Sequence, residues 1–262
     1  MYTVEKQVPE STLLINDVVP LPDNHVGLAV LGSPIEHSIS PQIHGSALRE
    51  LSILNPRFLT WSYTKIHVES SDLPSALPYL AKCGYIGLNL TIPHKVDVLP
   101  LLESVDEEAR NIGAVNTLFY DCGKWNGFNS DGYGLEKALT QSLGISLSSA
   151  KVLILGAGGA ARAAAAQALS RQCNQIWMAN RSLSRLKILE EKLGETFDLS
   201  GFSTFELSEI PVELFTVEDL VIINATSLGL NQHDVLPISL SDFHSTTRVY
   251  DMIYNPPQTR LL

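Results

Sequence analysis

The stretch KVLILGAGGAARAAAAQAL, residues 151–169, constrains the fold of this 262-residue chain more than any other. A run of valine, leucine and isoleucine enters directly into Gly156, Gly158 and Gly159, and an alanine-rich segment follows. Strand, glycine turn and helix in that order open a dinucleotide-binding unit, matching G-x-G-x-x-[GA] with Ala161 in the third small position. The glycines permit the tight turn and let backbone N–H groups approach a pyrophosphate at the helix N-terminus. Gly156, Ala157, Gly158, Gly159, Ala160 and Ala161 are therefore the expected diphosphate loop.

The next strand candidate, QIWMANR, ends at Asn180–Arg181, where such a fold reads the adenosine ribose. An NAD site usually has an acid there for the 2′-hydroxyl. No acid lies between Asn174 and Lys187, whereas Arg181 and Arg185 do. Arginine clamps a phosphate bidentately and stacks on adenine, so the pattern predicts NADP. The plainer alternative is two solvated arginines at a helix start. Two further strands, LVIINATSLGL (220–230) and RVYDMIYNP (248–256), are expected to end on Thr226–Ser227 and on Tyr254, at the nicotinamide side. Such residues also commonly cap turns.

Ahead of this half, strand-like and helix-like segments alternate: VGLAVLG (26–32), a helix near Pro41–Leu51, FLTWSYTKIHV (58–68), a helix over Leu73–Cys83, CGYIGLNL (83–90) and AVNTLFY (114–120). That alternation predicts an α/β architecture with mainly parallel sheets. Pro9, Pro20 and Pro22 break up residues 1–25, which read as a loosely structured extension. The four glycines of DCGKWNGFNSDGYG (121–134) mark a domain seam, and the helix GLEKALTQSLG leads away from it. The expected organisation is an extension (1–25), an α/β substrate domain (26–128), a linker helix (129–144) and a Rossmann-type dinucleotide domain (145–262), with a cleft between the two α/β domains.

Charge narrows the partners. The formal net charge is −10, which leaves no basic stripe for a nucleic-acid backbone, although a few local cations suffice for a small anion. Three scattered cysteines suit a reducing cytoplasm, and no apolar run reaches the length of a membrane span. His37, His44 and His94 lack the acid or cysteine partners of a metal site, so no metal is expected.

GLNLTIPHK (87–95) carries the sharpest local question. Pro93 reads as the first residue of a helix, which makes Lys95 a first-turn residue where the helix dipole disfavours a cation. It also stands at the carboxyl end of a strand, where open α/β sheets bind ligands. Asp131, in the glycine-rich seam, is its natural partner. Ser38 and Ser40, two residues apart in an extended loop, can converge on one carboxylate, though S-x-S more often caps locally.

In order along the chain, SPIEHSISPQIH, GLNLTIPHK, ARNIGAVNT, NSDGYG, GAGGAARA, NRS with Arg185, NATSLGL and YDMIYNP resemble the motifs of the shikimate dehydrogenase family from about Val26 to Leu262. The resemblance implies reversible, NADPH-dependent reduction of 3-dehydroshikimate to shikimate in aromatic amino-acid (chorismate) biosynthesis. It implies Ser38 and Ser40 on the substrate carboxylate, and Asn89, Thr91, Asn116, Asp131 and Tyr254 around the ring hydroxyls. Lys95 and Asp131 match the catalytic pair. Asn180, Arg181, Ser182 and Arg185 match the 2′-phosphate site, and Met252 a nicotinamide contact. A monomer or homodimer acting on a small molecule is expected. The alternatives are an enzyme that also accepts quinate and a nicotinamide-binding regulator without catalysis. Three departures stand out: Gly45 where the family has Asn, Ser182 where it has Thr, and an end at TRLL where the family continues for a further helix or two.

Overall fold

The computed structural model describes residues 12–262, so residues 1–11 of the expected extension lie outside the described residues. The chain forms two compact units. The first holds the described residues up to Asp106 together with Val115–Phe128; the second holds Glu107–Ala114 and Asn129–Leu262.

In the first unit β1 (Leu13–Leu14), β2 (Val26–Gly32), β3 (Trp61–His67), β4 (Tyr85–Leu90), β5 (Ser104–Val105), β6 (Thr117–Asp121) and β7 (Lys124–Phe128) form one sheet, in the order β1-β3-β2-β4-β6-β7-β5. β1, β3, β2 and β4 run parallel, and β6 and β7 fold back antiparallel. The helices are α1 (Ser40–Leu54), α2 (Leu73–Lys82) and the single turn α3 (His94–Asp97). Ala29, Val30 and Leu31 of β2 are buried, as a continuous apolar run requires in a sheet covered on both faces.

Two expectations are corrected here. Residues 12–25 are docked: β1 extends the sheet at β3, Val18 is buried, the Tyr79 hydroxyl donates to the Val18 carbonyl at 2.6 Å, and Leu21 N–H donates to Cys83 O at 2.9 Å. A turn at Pro22, whose carbonyl accepts from His25 N–H at 3.0 Å, bends the segment, and Val18 is its buried anchor. In the glycine-rich stretch from 121 the units divide between Phe128 and Asn129, inside the expected seam, but its first residues belong to a hairpin of the first unit. Cys122 (φ 49°) and Gly123 (φ 83°) close the β6–β7 hairpin, whose two-residue turn needs positive φ. The sheet therefore runs on to Phe128.

The second unit contains α4 (Glu107–Ile112), α5 (Asp131–Leu143), α6 (Gly159–Ser170) and α7 (Leu183–Gly194) around β8 (Lys151–Leu155), β9 (Gln175–Asn180), β10 (Phe202–Glu206), β11 (Leu220–Asn224) and β12 (Arg248–Asp251). All five strands are parallel, in the order β10-β9-β8-β11-β12. Leu153, Leu155, Leu220 and Ile222 are fully buried in its core, each contributing roughly 1.5–3 kcal/mol.

Residues 107–114, expected inside the substrate domain, pack here, with α4 against α6 and α7. α5, expected as a linker, packs on α6. A Cβ at Gly132 would meet Gln167 Oε1 at 2.9 Å, so the missing side chain lets the helices approach. Glu136 accepts from Gln167 Nε2 at 2.6 Å and from two N–H groups of Arg171 at 2.9 Å.

Candidate functional site

β8 has β9 on one side and β11 on the other, so the carboxyl ends of β8 and β11 form the point where strand order reverses. Open α/β sheets bind ligands at such points. Gly156 stands there with φ +115°, its N–H donating to Ala179 O at 2.8 Å. A Cβ on it would lie 2.9 Å from the Ala225 carbonyl oxygen, so glycine is required. Gly158 is different: a Cβ there meets nothing within 4 Å, and this residue caps α6 without any side-chain bond. Ala157, Gly159 and Ala160 are partly exposed around it, while Ala161 is buried and seats the helix. The first turn of α6 carries no acid. Its orphan N–H groups suit an anion that approaches the backbone closely, and a diphosphate fits these residues.

Beside this loop β9 ends at Asn180, whose amide donates to Ser182 O at 3.1 Å, and the Ser182 hydroxyl shares a 2.8 Å hydrogen bond with Ser184. Arg181 and Arg185 are exposed on this turn, with no acid in the segment. Two guanidinium groups on one short segment suit a phosphate better than a neutral hydroxyl.

β11 stops at Asn224 and β12 at Asp251, short of the expected Thr226–Ser227 and Tyr254. The side chains of the two final residues end the ladder. Asn224, fully buried, donates to Asp251 Oδ1 at 3.0 Å and Leu228 O at 3.2 Å, and accepts from the Thr226 hydroxyl at 2.7 Å. Asp251 also accepts from Ile253 N–H at 3.0 Å and the Thr259 hydroxyl at 2.6 Å. The Thr226 hydroxyl is thus engaged in the turn, accepting from Leu228 N–H at 3.1 Å as well. Met252 is partly buried and its N–H donates to Asn224 O at 3.0 Å, whereas Ser227 and Tyr254 are exposed. Sequence reasoning missed Asn224 and Asp251. Each is a polar residue closing an apolar strand, which was the available signal.

In the first unit the strand order likewise reverses between β2 and β4. Asn89, on β4, accepts from the Tyr63 hydroxyl at 2.7 Å and donates to Thr117 Oγ1 at 3.3 Å; that threonine hydroxyl donates to Asn116 Oδ1 at 2.9 Å. Tyr63 stacks flat on His44, centroids 4.2 Å apart. Thr91 N–H donates to Leu31 O at 3.0 Å, which ties the ends of β4 and β2 together. Ser38 Oγ donates to Ser40 Oγ at 3.1 Å, and Ser40 opens α1. Tyr63 and Lys65, both on β3, were not foreseen; alternation along WSYTKIH was the signal for their shared face.

Lys95 lies in α3, but that helix is one turn long and a short 3-10 turn follows. So few aligned peptides make a small dipole, and the expected electrostatic cost largely disappears. The Lys95 carbonyl accepts from Val115 N–H at 2.7 Å. Its neighbour His94 is fully buried, with Nε2–H donating to Val68 O at 2.8 Å and Nδ1 unpartnered. Burial lowers the His94 pKa, outweighing the opposing hydrogen bond to Val68 O and the acids Asp97 and Glu69.

Asp131 opens α5 in the second unit, its N–H donating to Asn129 Oδ1 at 2.9 Å, while Asn129 Nδ2 donates to Ala114 O at 2.9 Å. Ser38, Ser40, Asn89, Thr91, Lys95 and Asn116 thus belong to the first unit, and Asp131, Tyr254 and the cofactor candidates to the second. Among the described residues no cluster of His, Cys, Asp and Glu could hold a metal, and no helix is long and apolar enough to cross a membrane.

A five-stranded parallel sheet with a glycine turn at its switch point defines a dinucleotide-binding domain of Rossmann type, here joined to a separate α/β unit. Residues 30–118 match the family "Shikimate dehydrogenase substrate binding domain" and residues 137–230 match "Shikimate / quinate 5-dehydrogenase". A shikimate dehydrogenase (NADP(+)) of Geobacillus kaustophilus is 37% identical over 234 residues, 89% of this chain and 80% of its own. Its counterpart in Methanopyrus kandleri is 38% identical over 242 residues, 91% and 80%. The crystal structure of shikimate 5-dehydrogenase from Thermus thermophilus in complex with NADP(H) and shikimate is 33% identical, with TM-score 0.72 over 88% of this chain and 80% of that one. The chain belongs to the shikimate dehydrogenase family.

Proposed function

We propose that this chain catalyses the reversible NADP-dependent interconversion of shikimate and 3-dehydroshikimate. One observation carries the reading: Arg181 and Arg185, without an acid, stand beside the Gly156–Ala161 loop in a chain of this family. Bound NADP(H) supplies or takes the hydride. Gly156 to Ala161 present backbone N–H groups to its diphosphate, Asn180 to Arg185 surround the 2′-phosphate, and Thr226, Ser227 and Met252 lie toward the nicotinamide. Ser38 and Ser40 bind the substrate carboxylate, while Asn89, Thr91, Asn116, Asp131 and Tyr254 take the ring hydroxyls.

Lys95 handles the proton. As an ammonium it donates to the carbonyl oxygen under reduction, and as an amine it accepts the hydroxyl proton in the reverse direction. A monomer or homodimer in the cytoplasm is the setting we assign, which suits three free cysteines.

The test is the near-ultraviolet absorbance of NADPH formed from NADP and shikimate, with quinate and NAD as parallel substrates. Turnover confined to shikimate and NADP is expected. Turnover of quinate at a comparable rate would mark the relaxed enzyme, and none with either acid would overturn the reading.

A further inference from the structure

Lys65 is the only lysine or arginine that is buried among the described residues, at 7% exposure. Taking an ammonium out of water is costly unless its donors are satisfied. Here the group donates to the Glu36 carbonyl oxygen at 2.8 Å, and among the described residues no carboxylate pairs with it. An ammonium has three donors, so one carbonyl leaves capacity for an anion.

Its position is specific. Lys65 on β3 is in register with Val30 on β2, Val30 with Asn89 on β4, and Asn89 with Thr117 on β6. Side chains alternate along a strand, so the Lys65 side chain shares a sheet face with Tyr63, whose hydroxyl reaches Asn89. The carbonyl that Lys65 holds is two residues before Ser38. That loop is further pinned by Ser38 N–H on Ile35 O at 3.1 Å and Ile35 N–H on Glu36 Oε2 at 3.0 Å. It then delivers Ser40 to the start of α1, whose first turn has neither an acid nor a side-chain cap.

We propose that Lys65 is the cation of the carboxylate subsite: it positions the Ser38–Ser40 loop through Glu36 and lends its charge to an anionic substrate. This rests on the assignment of Ser38 and Ser40 to the substrate carboxylate. Two neutral hydroxyls orient a carboxylate but do not neutralise it, and in a chain of net charge −10 a local cation offsets the unfavourable field.

Steady-state kinetics of wild type, Lys65→Gln, Lys65→Met and Lys65→Arg decide it, with shikimate and its uncharged methyl ester as substrates. Gln keeps a donor for Glu36 O without the charge. Both neutral variants should raise KM for shikimate about ten- to a hundredfold, the scale of a lost charged hydrogen bond, with kcat changed less than about threefold. KM for NADP should hold, and Arg should restore KM for shikimate to within about threefold of wild type. With the methyl ester, wild type and Lys65→Gln should behave alike. An unchanged KM for shikimate, or an equal loss on acid and ester, would overturn the charge role even if Lys65→Met does not fold. A wild type that turns over neither substrate would instead overturn the functional reading itself, together with the role that rests on it.

Discussion

Gly156 lies against Ala225 across the switch point, so close that a Cβ on the glycine would stand 2.9 Å from the alanine's carbonyl oxygen. Two loops, one after each central strand, meet where the cofactor's diphosphate is expected. Space and backbone angle both exclude a side chain at Gly156, while Gly158 opens onto free space.

The two glycines should therefore fail differently. Gly156→Ala should lower stability by about 1–3 kcal/mol through positive-φ strain, with the carbonyl contact adding to it. Gly158→Ala should leave thermal unfolding nearly unchanged yet weaken NADPH binding, because its methyl occupies the space a diphosphate needs. Denaturation curves and fluorescence titration with NADPH measure the two effects separately. Equal loss of stability in both variants would refute the distinction.

Cofactor choice should rest on the turn after β9. Arg181→Ala should weaken NADP binding roughly ten- to a hundredfold, the worth of a charged hydrogen bond, and leave NAD use nearly unchanged. Arg185→Ala should act in the same direction. Parallel KM measurements with both cofactors check this, and equal losses with NADP and NAD would remove the arginines from the 2′-phosphate site.

Lys95→Ala should cut turnover by about a hundred- to ten-thousandfold with a smaller change in KM, as for a positioned acid–base group. Ser38→Ala should mainly raise KM, since carboxylate binding is common to ground and transition states. One shared kinetic pattern for the two variants would show the roles to be wrongly divided.

Acid should destabilise the first unit through His94. Burial depresses its folded-state pKa, so near and below its ordinary value of about 6.5 the unfolded chain takes up a proton that the folded one resists. The stability contributed by the neutral ring is complete above that value and is lost as pH falls toward the folded-state pKa. His44 is depressed by burial too and adds to the same trend. Urea unfolding across mildly acidic pH should show a shallower decline in His94→Phe than in wild type. Identical slopes would mean that His94 does not titrate between the two states.

Asn224 and Asp251 tie β11 and β12 to the loops that follow them. Asn224→Ala removes the donor to Leu228 O and one of the two donors to Asp251 Oδ1, each lost hydrogen bond costing about 0.5–1.5 kcal/mol. A midpoint of chemical denaturation near the wild-type value would show that water replaces the amide at no cost.

The sequence by itself determined the parts whose physics is local. A glycine turn between an apolar run and a helix marks the loop at the switch point, and at Gly156 only glycine tolerates the backbone angle. Arg181 and Arg185 without an acid specify a positive charge on the segment after β9, whatever surrounds them. VGLAVLG was readable as a strand, residue for residue, because a buried parallel strand is apolar throughout. What depends on partners distant in sequence was decided by tertiary structure. Residues 107–114 lie between strands of one unit yet join the other, because burial of Ala109 and Ile112 on that unit chooses their place. The same glycine spells flexibility or a tight hairpin, and only pairing of Asp121 with Lys124 settled which. Nor does spacing say that Tyr63 reaches Asn89, that Asn224 reaches Asp251, or that Lys65 reaches Glu36. Those contacts cross strands and loops, and strand order is set by the burial of whole sheets.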